Sequence, residues 1–178
     1  SPAFHNGNYP ATTLAGMGLS TGYVFCNTGP VSGGGAVLKL NRYRDTADGI
    51  VIMNKSVSGV SYGIDLNVQC RSLHNIIVST AAQTAGIYMR AALSEASVNI
   101  VCGWTAGATF ATAQAGLLFT NNLLTKNTNG FSAVDGTKGF FYNNISIGNT
   151  TGQWPTQPSQ LEGASDNAGP SGTAWMTS

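Results

Sequence analysis

The stretch "GFFYNNISIGNTTG", residues 139–152, decides the fold. Two short apolar runs flank the amide pair Asn143 and Asn144, with Gly at both ends. An Asn placed before an apolar triplet recurs upstream. It is Asn75 in "NIIVST", Asn99 in "NIVCGW", Asn122 in "NLLTKN" and Asn144 in "NISIGN", at separations of 24, 23 and 22 residues. Between these lies a second series, a small residue opening an alternating run. It reads "GIDLN" from Gly63, "GIYMR" from Gly86, "ATFAT" from Ala108 and "GFSAV" from Gly130, at separations of 23, 22 and 22. Two markers that keep one period and one phase signal stacked repeats.

The type of repeat follows from the runs themselves. They are four or five residues long, rich in β-branched and aromatic residues, and punctuated by Gly and Asn. Helical repeats need longer stretches at 3.6 spacing, and leucine-rich repeats need Leu at fixed positions. What remains is an all-β coil of short strands joined by tight corners, each coil stacked about 4.8 Å from the next. Asn tolerates the left-handed backbone of such corners. Identical amides stacked coil on coil also form a hydrogen-bonded ladder. The expected ladder is Asn54, Asn75, Asn99, Asn122 and Asn144, with Asn54 placed 21 residues before Asn75.

At 178 residues the chain fits one domain able to bury a sizeable core. The repeat assigns residues 23–152 to about five or six coils. It leaves residues 1–22 as an N-terminal cap or arm and residues 153–178 as a capping or docking tail. That tail carries Pro155, Pro158 and Pro170, which cannot donate to a ladder, and the apolar anchors Trp154 and Trp175.

Only 8% of residues are charged and the net charge is +1, so no basic field exists to attract nucleic acid or an anionic membrane. No apolar run reaches the roughly 18 residues of a membrane span. Cys26, Cys70 and Cys102 are too scattered for a zinc site and read as small buried hydrophobes. No metal or cofactor is expected. "SGGGA" at residues 32–36 lacks the Lys of a phosphate loop.

Alternation points Ile64, Leu66, Ile87 and Met89 inward. It leaves Asp65, Asn67, Tyr88 and Arg90 on an outer strip, continued by Thr109 or Thr112 and by Ser132. Such a strip suits a polysaccharide, or is an ordinary solvated face or a subunit contact. Glycosidic hydrolysis normally needs two carboxylates, and this strip offers only Asp65. No catalytic residue is assigned, and enzymatic activity is not expected. Arg42, Arg44, Asp45 and Asp48 in "NRYRDTAD" form a polar loop or, together with Trp154 and Trp175, partner contacts.

The coil pattern "GI…NI" over about residues 49–151, with the tail "GNTTG…GASDNAGPSGTA", resembles the right-handed parallel β-helix (pectate-lyase-like) superfamily of phage and environmental bacterial surface proteins. The resemblance implies a short right-handed parallel β-helix. It also implies one of several roles: virion decoration or spike protein, polysaccharide lyase or hydrolase, tailspike receptor-binding domain, or extracellular adhesin. Few coils, low charge and the absence of an acid pair favour a structural role at a virion surface or outside the cell. The expected partners are copies of itself, as a homotrimer, or other virion or surface proteins.

Overall fold

In a computed structural model, which describes residues 4–6, 24–27, 35–55, 60–81, 83–110, 115–133, 138–151 and 162–165, the chain winds as a parallel β-solenoid. Two strands come first, β1 (Phe4–Asn6) and β2 (Val24–Asn27). Three strands per coil then repeat. The first coil holds β3 (Gly35–Leu40), β4 (Thr46–Asp48) and β5 (Val51–Asn54), and the second β6 (Val60–Leu66), β7 (Arg71–Leu73) and β8 (Ile76–Ser79). The third holds β9 (Ala85–Met89), β10 (Glu95–Ser97) and β11 (Ile100–Cys102). The fourth holds β12 (Ala106–Phe110), β13 (Leu117–Thr120) and β14 (Leu123–Thr125). The fifth holds β15 (Asn129–Ala133), β16 (Lys138–Tyr142) and β17 (Ile145–Ile147), and β18 (Glu162–Ser165) follows.

Corresponding strands pair in parallel into three sheets. Sheet A runs β1-β2-β5-β8-β11-β14-β17, sheet B runs β3-β6-β9-β12-β15, and sheet C runs β4-β7-β10-β13-β16-β18. Four full turns separate the first strand triplet from the fifth. Of the segment expected to cap the N-terminus, β1 pairs with β2 from Phe4↔Val24 to Asn6↔Cys26 and adds a rung to sheet A. Of the tail, β18 pairs with β16 on sheet C. Trp154 and Trp175 lie outside the described residues.

The core fills the space between the sheets by exchanging volume from wall to wall. Where sheet C turns inward only Ala47, Ser72 and Ala96, sheet B supplies Leu38, Ile64 and Ile87. Where sheet B narrows to Ala108, sheet C supplies Phe119 and Phe141. These two rings meet Phe110 and Phe131 with centroids 5.3–6.3 Å apart. The small-residue marker is real but shifted. The column is Gly63, Gly86, Gly107 and Gly130, because the register puts Ala108 beside Ile87 and Phe131. A Cβ on Gly63 would stand 2.5 Å from Ile77 Cγ2 and 3.0 Å from the Trp104 ring, so glycine here makes room for the buried indole.

The amides stand in one buried column. Asn75 Oδ1 accepts from Ile50 N (2.9 Å), Asn99 Oδ1 from Asn75 N (3.1 Å), Asn122 Oδ1 from Asn99 N (2.9 Å) and Asn144 Oδ1 from Asn122 N (3.0 Å). Side-chain amides add Asn99 Nδ2 to Asn122 Oδ1 at 2.9 Å and Asn122 Nδ2 to Asn144 Oδ1 at 3.0 Å. Asn54 does not belong to this column. The register pairs Ile50 with Asn75, and Asn54 stands four residues on, against Ser79, to whose Oγ its Nδ2 donates at 3.0 Å. The left-handed residue is also not the ladder amide but the residue before it: Gly49 (φ 63), His74 (53), Val98 (59), Asn121 (57) and Asn143 (51). A second column occupies the next corner. Asn127 Oδ1 accepts from Trp104 N (3.0 Å) and Asn149 Oδ1 from Asn127 N (2.9 Å), again behind left-handed residues, Gly103, Lys126 and Gly148.

Candidate functional site

Sheet B brings the outer strip together. The register places Lys39, Asp65, Tyr88, Thr109 and Ser132 in one row, and Asn67 and Arg90 follow at the strand ends. Thr112 lies outside the described residues. One expectation is overturned: Asp65 is not exposed, with 2% of its surface open. Arg90 Nε donates to its Oδ1 at 2.8 Å, and Lys39 Nζ lies 4.0 Å from its Oδ2. Above the carboxylate, Tyr62 and Tyr88 stack with centroids 4.0 Å apart and planes 1° from parallel. The Arg90 guanidinium sits 4.4 Å from the Tyr88 ring and 5.5 Å from that of Tyr62.

This cluster satisfies itself. Burial raises the Asp65 carboxyl above its ordinary range, and the hydrogen bond and charge of Arg90, then Lys39, pull it back only in part. Burial pushes the Tyr62 phenol up to about 12, aided by its hydrogen bond with Tyr88. Each tyrosine spends one ring face on the other, and the one carboxylate of the strip is bound by a guanidinium. Tyr62, the residue the sequence reading left out, is what seals the site. Its signal was its place three residues before Asp65, in the same strand.

The arginine loop divides rather than gathers. Asp45 Oδ2 accepts from Arg42 N at 2.9 Å and so folds its own loop. Asp48 Oδ1 lies 2.8 Å from His74 Nδ1 in the next coil. Arg44, with φ 67 and its guanidinium 5.0 Å from the Tyr43 ring, borders a shallow depression of about 300 Å³ shared with Gln69, Arg71, Leu93 and Glu95. Among the described residues no group of three or more His, Cys, Asp or Glu side chains is placed to hold a metal ion.

Sheet A presents a surface of another kind. Its inward row is Ile52, Ile77, Val101, Leu124 and Ser146, all buried. Its outward rows are Val51, Ile76, Ile100, Leu123 and Ile145, then Met53, Val78, Cys102, Thr125 and Ile147. No charged side chain and one hydroxyl stand among these ten. Ile76, Ile100, Ile145 and Ile147 are 41–49% exposed. Strands that are apolar on both faces are the mark of parallel sheets covered on both sides. Here the inner face is covered by the core, and among the described residues nothing is laid over the outer face, whose side chains are exposed or half-buried.

Comparison with family models, with curated proteins and with solved structures finds no match to this chain.

Proposed function

We propose that the chain is a structural β-solenoid subunit whose work is to assemble, with the outer face of sheet A as its docking surface. The observation that carries this is the pair of uncharged, mostly apolar rows on that face. Five strands about 4.8 Å apart and three to four residues wide offer on the order of 300 Å². At roughly 25 cal/mol/Å², that is about 7 kcal/mol for each face covered. Two such faces offset an association cost of roughly 4–15 kcal/mol, so docking is concentration-dependent rather than obligate.

The finer setting is also part of the proposal: a β-helix of the pectate-lyase-like kind serving as decoration or spike protein at a phage virion surface, or in an extracellular assembly. Low charge, few coils and the open apolar face support it. A sugar-active strip on sheet B is the weaker reading, because Asp65 is buried and held by Arg90. Light scattering of the purified chain over a hundredfold range of concentration tests the assembly reading. A mass rising above that of one chain supports it; a single chain throughout, with nothing recovered on it from its source, contradicts it.

A further inference from the structure

Any cover for sheet A has to be flat, uncharged and as tall as the solenoid. We propose that the cover is a second copy of this chain, laid sheet A against sheet A about a two-fold axis; this rests on the assembly reading above. The choice follows from what the other faces carry. Sheet B turns outward Lys39 and Arg90, gathered around Asp65, and sheet C turns outward Arg71 and Glu95. A full-height contact between sheet A and either of them sets charges against Ile76 and Ile100 and strips their water, which is costly without new partners. Sheet A against sheet A buries no charge among the described residues.

A surface that meets itself is isologous, and isologous contacts close as two-fold dimers. A cyclic trimer joins two different patches at each contact, so the mass of the assembly separates the two-fold contact from the three-fold assembly expected from resemblance. Both copies carry side-chain rows at the same spacing of about 4.8 Å, which lets ridges of one sit in grooves of the other with the sheets about 10 Å apart. With β1 and β2 the sheet has seven strands, or roughly 400 Å² in projection. That is about half of the ~800 Å² per partner of a standard stable interface. The dimer therefore forms and dissociates with concentration.

Sedimentation equilibrium of the full chain and three variants tests the proposal. Ile100→Glu charges sheet A, Ser132→Glu charges sheet B and Phe140→Glu charges sheet C, each at an exposed position. Far-ultraviolet circular dichroism checks that each variant is folded, and Ile145→Glu replaces Ile100→Glu if that one is not. The expected result is a wild-type mass that doubles with concentration, an Ile100→Glu mass of one chain, and doubling kept in the other two. A mass of three chains, or association lost in Ser132→Glu or Phe140→Glu but kept in Ile100→Glu, overturns the two-fold contact and leaves the assembly reading standing. A full chain that stays single but doubles once residues 166–178 are removed shows that its own tail is the cover, which also overturns the proposal. A chain single under every condition overturns the two-fold contact, and it overturns the assembly reading as well if nothing is recovered on the chain from its source.

Discussion

Asn143 and Asn144 are neighbours in the chain with opposite duties. Asn143 turns the backbone at φ 51 and leaves its side chain exposed, whereas Asn144 is fully buried and its Oδ1 accepts from both Asn122 N and Asn122 Nδ2 at 3.0 Å. The pair is one corner written twice: a residue for the backbone, then a residue for the column. Only the second duty needs an amide. Gly49, His74 and Val98 perform the first in other coils.

That division separates two substitutions one residue apart. Asn122→Ala leaves Asn99 N and Ala96 O buried without their partner, each at about 1–3 kcal/mol. The expected loss is roughly 3–5 kcal/mol. Asn121→Ala keeps every column bond and costs about 1–2 kcal/mol for a left-handed alanine. Urea unfolding of both variants checks the ranking; equal losses would deny the column its part in holding the corner.

Val98 performs the backbone duty at a cost. It is β-branched, has φ 59 and is 45% exposed, so its side chain gains little there while its backbone is strained. Val98→Gly relieves that strain at the expense of unfolded-state entropy. The expected net gain is about 1 kcal/mol, read as a higher Tm. A lower Tm would mean that the Val98 side chain packs more than its exposure indicates.

Asp65 sets a pH dependence of definite sign. Burial lifts its pKa in the fold above the ordinary 3.8, so above that value the folded chain keeps a proton that the unfolded chain has released. Stability from this group is greatest below the ordinary value and falls as pH rises through the window up to the raised pKa. As pH rises above about 4, wild-type Tm should fall relative to that of Asp65→Asn, which lacks the group. A wild-type Tm that rises relative to the variant would show that Arg90 and Lys39 outweigh burial.

The fold was legible because its two demands, an inward amide and a small residue, recur in each coil from the second to the fifth. Register was less legible. Asn54 lies 21 residues before Asn75, close to the period, yet it stands four residues beyond the column, where Ile50 is. The second column was written at the ends of "NLLTKN" and "NISIGN", but only two coils spell it with Asn. Burial of Asp65 was hidden, because alternation reports direction and not what neighbouring coils lay over a side chain. The open face of sheet A was hidden for the opposite reason. "NIIVST" and "NIVCGW" are apolar at successive positions, so their pattern does not tell the inner side from the outer, and among the described residues nothing covers the outer one.

Cys102 supplies the most direct test of assembly through sheet A. Its half-buried thiol lies in the outward row between Val78 and Thr125. Cys70 serves as an internal reference, since it is fully buried and burial, with the charge of Asp45 behind it, pushes its thiol up to about 11. Maleimide modification, followed peptide by peptide by mass spectrometry, should slow severalfold at Cys102 as protein concentration rises, while Cys70 stays unmodified throughout. A Cys102 rate that is the same in dilute and concentrated protein would contradict docking through that face.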